Sequence, residues 1–174
     1  MTNSLISPAT INDIPALNQL VNSAYRGDSS RKGWTTEADL LDGIRTTEES
    51  LQEMFDNPHA VILRYVADDS LLGCVYLEQK GSTLYLGMLT VSPELQAGGI
   101  GRQLLEAAEA YARSKQCRVV TMTVIPQRTE LIAWYERRGY QRTGNVHPFP
   151  DDPDRFGKPK ASLSFIELEK KIND

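Results

Sequence analysis

The segment Gln96-Ala-Gly-Gly-Ile-Gly-Arg102 places glycines at 98, 99 and 101, and that spacing points to anion chemistry. An apolar run from Leu84 to Val91 leads into it and stops at Ser92-Pro93. Beyond the glycines the pattern turns helical. Ile100, Leu104, Leu105, Ala108 and Ala112 fall on one face, and Glu106, Glu109 and Arg113 on the other. A strand, a glycine turn and a helix start form a cradle for an anion. The first N–H groups of a helix have no partners inside it, and the helix dipole favours negative charge there. Glycine admits positive φ and lets a phosphate approach the backbone. A phosphorylated cofactor is therefore expected at residues 96–102. The two commonest nucleotide signatures do not describe it. G-x-G-x-x-G within a βαβ unit has a different spacing, and G-x-x-x-x-G-K-[ST] is absent.

Other reactive side chains are isolated. Cys74 and Cys117 lack metal-type spacing and sit among apolar residues, so packing in a reduced intracellular compartment is expected. Trp34 lies in a polar, glycine-punctuated stretch, residues 26–36, with a stacking role and a loop anchor as its two readings. Arg31-Lys32 can hold a carboxylate or simply be solvated. His147 lies in a proline-rich stretch, where a lone histidine is usually not a base.

The cradle needs a frame. The chain has 174 residues and is 40% hydrophobic, enough for one domain spanning 1–174 with a real core. A net charge of −4 gives no bulk support to a nucleic-acid partner. No run of roughly eighteen apolar residues suggests a membrane span. Met1 to Pro8 lacks signal-peptide character, so a cytoplasmic protein is expected.

A short strand is expected around Leu5. Asn12 or Thr10 caps a helix with Ile14, Leu17, Leu20, Val21 and Ala24 as its apolar stripe. Thr36 and Asp39 resemble a capping box for a second helix through Leu40, Leu41 and Ile44, and Glu48 to Phe55 makes another helical turn. Strands at 60–67, 72–78 and 84–91 form an antiparallel meander, with Gly87 marking a bulge or a ligand's approach. After the glycine helix come a strand at 118–125 and a helix capped by Thr129 and ended by Gly139. A strand beginning at Tyr140, a long loop over 145–160 and a final strand at 162–169 complete the chain. The total is an α/β (α+β) fold with a mixed, mostly antiparallel central sheet of about seven strands flanked by helices.

This order of elements resembles the GNAT acyltransferase superfamily. Gln96-Ala-Gly-Gly-Ile-Gly101 matches that family's [QR]-x-x-G-x-[GA] turn. Leu89-Thr-Val-Ser-Pro93 looks like its strand end, and Ala133-Trp-Tyr-Glu-Arg-Arg-Gly-Tyr140 resembles its L-Y-E-K-x-G-F helix end. The resemblance spans roughly residues 5–143. It implies an acetyl-CoA-dependent N-acetyltransferase acting by direct attack of a primary amine in a ternary complex. Gln96, Ala97, Gly98, Gly99, Ile100, Gly101 and Arg102 would hold the pyrophosphate of coenzyme A. The backbone of Leu89, Thr90 and Val91 would pair with the pantetheine arm beside a bulged, splayed strand, where an N–H polarises the thioester.

Tyr135 matches the family's general-acid tyrosine, with a core tyrosine as the plainer reading. The base is open. The last meander strand has no acidic residue, which leaves Glu78 at the end of the preceding strand, or a water chain. Arg128 stands where the family often has Asn, and either meets phosphate or is a solvated charge. Family substrates meet the first two helices and the C-terminal strands, so Tyr25, Trp34 and Glu37 are candidate substrate contacts. Glu37 and Asp39 also suit a helix start by dipole alone. The loop around Phe149 to Phe156 is a candidate lid that could fold over the cleft. The acceptor is a small-molecule amine or a peptide, with neither nucleic acid nor membrane as partner and a homodimer left open. The alternatives are a longer acyl-CoA, a hydroxyl acceptor, or a non-catalytic acyl-CoA sensor.

Overall fold

The computed structural model describes residues 4–25, 41–42, 46–93, 99–148, 158–159 and 164–172. In chain order these form β1 (Ser4–Pro8), a 3-10 turn (Ile11–Asp13), α1 (Ile14–Tyr25), β2 (Leu41–Asp42), α2 (Glu48–Asp56), β3 (Ala60–Ala67), β4 (Ser70–Lys80) and β5 (Thr83–Val91). They continue with α3 (Ile100–Ser114), β6 (Val119–Val124), α4 (Thr129–Glu136), β7 (Gln141–Pro148), β8 (Lys158–Pro159) and β9 (Ser164–Lys171).

Seven strands make one sheet in the order β1-β3-β4-β5-β6-β9-β7, and every pairing except β5–β6 is antiparallel. The β3–β4 turn uses Asp68 and Asp69 with φ of 51° and 65°, the left-handed pair that a two-residue hairpin favours. Alternation along β4 sends Val75 and Leu77 into one core with α3 and α4, and Cys74 and Tyr76 into another with α1 and α2. The expected stripe of α1 is buried in full, from Ile14 to Ala24. Asn22 on α1 clamps the entry to α2, donating to the Thr46 carbonyl at 3.1 Å and accepting from the Thr46 N–H at 3.0 Å.

Three local expectations are corrected. Leu41 and Asp42 are not helical: they pair antiparallel with Pro159 and Lys158, a tertiary pairing that overrides three loosely spaced apolar residues. The Thr36–Asp39 part of that expected helix lies outside the described residues. Thr129 is the first residue of α4 and Arg128 is its N-cap, whose side chain makes no capping bond. The expected loop from 145 begins late, because Val146, His147 and Pro148 pair with Ile166, Phe165 and Ser164. Pro148 is tolerated there because β7 is the edge strand.

Candidate functional site

The site starts with a break in β5. Cys74 of β4 pairs with Thr90 and Tyr76 pairs with Gly87, so one β4 residue faces two on β5. This is a β-bulge, and Met88 takes the strained left-handed conformation within it, at φ 52°. The Met88 carbonyl accepts from Thr90 Oγ1 at 2.9 Å and from Cys74 Sγ at 3.9 Å. Gly87 therefore neighbours the bulge rather than forming it. A Cβ at Gly87 would meet the Tyr85 ring at 3.1 Å, so the glycine leaves room for that ring. Beyond Tyr85 the two parallel strands part: β5 and β6 pair only at Thr83–Val119, Leu84–Val120 and Tyr85–Thr121. Leu89, Thr90 and Val91 are buried on the separated half of β5.

That half runs toward the glycine turn. Gly99 caps α3 at φ 82°, and a Cβ there would meet nothing within 4 Å, so its backbone conformation rather than crowding requires glycine. The Gln103 N–H reaches the Gly99 carbonyl at 3.1 Å. The earlier N–H groups of Ile100, Gly101 and Arg102 belong to the first helical turn, where no i−4 carbonyl exists within the helix. Arg102 is exposed, with Glu106 3.9 Å away. This donor set suits an anionic pyrophosphate. Gln96, Ala97 and Gly98 lie outside the described residues.

Two further glycines lie at this junction. A Cβ on Gly101 would lie 3.6 Å from Val91 and 3.7 Å from Trp134, ordinary contact distances that show the end of β5, the start of α3 and α4 meeting here. Gly73 escaped the sequence reading. A Cβ there would lie 3.0 Å from Leu104 and from the Thr90 carbonyl oxygen, so a side chain at this position would push against both α3 and the β5 backbone. The available signal was a glycine inside an otherwise apolar strand.

Tyr135 lies in the same core as Leu89, Val91 and Ile100, and is 4% exposed. Its ring packs edge-on to Trp134 at 5.1 Å and Tyr140 at 5.8 Å. Gly139, at φ 98°, ends α4 as expected, and the Tyr140 N–H returns to the Tyr135 carbonyl at 3.2 Å. Arg138 stacks on the Trp134 ring at 3.9 Å and donates to the Trp134 carbonyl at 2.9 Å. Burial, then the charges of Arg137 and Arg102, push its guanidinium below the usual arginine range. Tyr140 donates to the buried Glu109 at 3.0 Å, and Lys170 reaches the other Glu109 oxygen at 3.0 Å, which ties α3, the α4 exit and β9 together.

The other sheet face carries the second apolar core under α1 and α2 and, beside it, a polar row. Glu78, Tyr85, Thr121 and Glu169 are successive partners across β4, β5, β6 and β9. Partners in register project to one face, so they form a row across the point where β5 and β6 part. Tyr76 donates to Glu78 at 2.6 Å and packs edge-on to Tyr85 at 6.5 Å. Burial first, and then the Glu78 hydrogen bond, push the Tyr76 phenol well above its usual range. Glu167 follows two residues before Glu169, paired to Thr123. The Asn145 amide and Thr143 hydroxyl, each 2.8 Å away, hold its carboxyl below the usual carboxylate range. His147, 48% exposed, lies 3.4 Å from Glu167.

The two proposed proton-transfer groups are thus placed on opposite faces, Tyr135 with α3 and Glu78 with Tyr85. Arg128 caps α4 at the end away from Gly139. Tyr25 ends α1, but its side chain is outside the described part. Trp34, Glu37, Arg31, Lys32, Asp39 and the Phe149–Phe156 stretch are outside it as well. Among the described residues no cluster of histidine, cysteine or carboxylate can hold a metal, and no helix is long and apolar enough to cross a membrane.

Residues 16–140 match the model of the acetyltransferase (GNAT) family. The fold is shared with solved enzymes of low identity. The ribosomal-protein-S18-alanine N-acetyltransferase of Escherichia coli superimposes with a TM-score of 0.72 at 15% identity, covering 99% of this chain and 96% of that one. The ribosomal-protein-alanine N-acetyltransferase of Brucella melitensis gives 0.71 at 20% identity, with 96% and 99% covered. The PaiA N-acetyltransferase of Thermoplasma acidophilum, solved with coenzyme A, gives 0.68 at 20% identity, with 97% and 99% covered.

Proposed function

The chain belongs to the GNAT acetyltransferase family, and from that premise we propose that it transfers the acetyl group of acetyl-CoA to a primary amine of a small molecule, amino acid or peptide. One observation carries the reading. The bulged half of β5 leaves β6 and runs directly toward a left-handed glycine at the N-terminus of α3. A strand edge and a set of helix amides are then offered in sequence to one extended, phosphorylated molecule. Val91, Gly101 and Trp134 hold the two parts together.

Acetyl-CoA supplies an activated thioester when bound. The amides of Ile100, Gly101 and Arg102 would hold the pyrophosphate, with Gln96, Ala97 and Gly98 as the preceding part of the same motif. Leu89 to Val91 would align the arm, and the bulge would offer backbone dipole to the thioester oxygen. The acceptor approaches from the opposite face. An amine attacks only after losing a proton, and Glu78, oriented by Tyr76, is the carboxylate at the parting of the strands. Tyr135, buried on the apolar side, would supply the proton to the leaving thiolate. The acidic residues Glu78, Glu167 and Glu169 on the acceptor face suit a cationic amine.

The test is thiol release from acetyl-CoA across a panel of amines, amino acids and peptides, with the acetylated product weighed by mass spectrometry. Release stimulated by at least one amine, with a product 42 Da heavier, is expected (the mass of one acetyl group replacing a proton, about 42). Tight acetyl-CoA binding with no stimulated release by any acceptor would replace this reading with an acyl-CoA sensor.

A further inference from the structure

We propose that Thr90 is a positioning residue for acetyl transfer: its hydroxyl pins the Met88–Leu89 peptide so that the bulge turns its N–H edge, not its carbonyl, toward the thioester. The inference rests on the acetyl-CoA reading above and adds a residue to it.

Thr90 is fully buried between two core residues, Leu89 and Val91. Packing alone is served as well by valine, which has the same shape and carries no hydroxyl to desolvate. The hydroxyl has a use here: it donates to the Met88 carbonyl at 2.9 Å. Met88 is the residue that needs holding. It is non-glycine at φ 52°, a conformation that persists only when its surroundings over-determine it. A second donor, Cys74 Sγ of β4, lies 3.9 Å from the same oxygen. The carbonyl is thus engaged by two buried side chains at the register break.

A trans peptide is planar, with its C=O and N–H on opposite edges. Fixing the Met88 oxygen against Cys74 and Thr90 therefore also fixes the direction of the Leu89 N–H. Gly73 lets the β4 backbone pack directly against this peptide, because a Cβ there would lie 3.0 Å from the Thr90 carbonyl oxygen. Without the Thr90 hydroxyl, the weaker Cys74 thiol is the remaining side-chain donor to this carbonyl among the described residues. The strained plane can then rotate and bring a carbonyl oxygen to the thioester oxygen, where it repels the charge that develops.

The experiment compares wild type, Thr90→Val and Thr90→Ser by infrared difference spectroscopy of bound acetyl-CoA carrying carbon-13 at its thioester carbonyl. Calorimetric affinity for coenzyme A and single-turnover rates complete the comparison. In the wild type and Thr90→Ser the bound carbonyl band lies below its frequency in solution. In Thr90→Val the band returns toward the solution value, and the rate falls about ten- to a hundredfold. Affinity for coenzyme A, which lacks the acetyl carbonyl, stays within about threefold. Should Thr90→Val not fold, Thr90→Cys, with a weaker donor of similar size, is read in the same way. A band and rate unchanged in the valine variant overturn the inference while leaving the acetyl-CoA reading intact, as does a serine variant as impaired as valine. A wild type that does not bind acetyl-CoA overturns both.

Discussion

The face of the sheet under α3 and α4 and the face under α1 and α2 are built from different material. On the first, Gly73 sets a backbone distance and Gly99 a left-handed helix cap, and the side chains are a closed apolar core from Leu89 through Leu104 to Tyr135. On the second, the distinguishing features are side chains: Glu78, Tyr85, Thr121 and Glu169 in one row, with Glu167 and His147 beside it. In the proposed reaction the donor side can be backbone because every acyl-CoA presents the same pyrophosphate and arm. The acceptor side would be side chain, because charge and shape there would select one amine over another. The parting of β5 from β6 joins the two.

The contrast can be broken by substitution. The largest effect is expected from Tyr135→Phe, which should slow turnover about a hundredfold or more while acetyl-CoA affinity stays within about twofold, read by stopped-flow thiol release and calorimetry. Unchanged turnover would remove the acid role and leave Tyr135 as core. Next comes Gly99→Val. A β-branched residue in the left-handed region costs roughly 1–2 kcal/mol and sets a side chain over the helix amides, so acetyl-CoA affinity should fall about tenfold or more. Equal affinity in the folded variant would dissolve the cradle.

Glu78→Gln sharpens the other side. It should lower kcat/KM for the amine about tenfold and steepen the rise of rate with pH, because solvent must then deprotonate the acceptor. Tyr76→Phe, which removes only the 2.6 Å hydrogen bond to Glu78, should cost about threefold. A pH profile identical to wild type in both would reassign the base.

The smallest effect concerns Glu167. Its carboxyl is held below the usual range by Asn145 and Thr143, so its contribution to stability is present above the unfolded value of about 4.3 and is lost as pH falls through the depressed folded value. Wild type should therefore melt roughly 2 °C above Glu167→Gln near neutrality, and the gap should close below pH ~4. A gap independent of pH would trace the difference to packing instead.

The two faces were also unequally legible. The glycine turn could be read because a glycine run is a local conformational statement: Gly99 has the positive φ its type suggested, and Gly139 ends α4 where expected. The meander and the stripe of α1 were readable for the same local reason. The row from Glu78 to Glu169 was not. It depends on registers between strands far apart in sequence, and Glu169 joins Glu78 only through Tyr85 and Thr121. The bulge was misplaced by one residue because glycine was the natural suspect, whereas Met88 is held there by Thr90 and Cys74. Gly73 went unread because its reason is α3, which follows some thirty residues later.

The central claim, donor on backbone and acceptor on side chains across one parting of strands, is tested most directly by crossing two variants with two ligands. Acetyl-CoA affinity and, at saturating acetyl-CoA, kcat/KM for the best amine are measured for wild type, Gly99→Val and Glu78→Gln. The account predicts that Gly99→Val weakens acetyl-CoA and leaves kcat/KM for the amine within about twofold, and that Glu78→Gln does the reverse. If either variant moves both constants equally, donor and acceptor do not occupy separate faces, and the account is wrong.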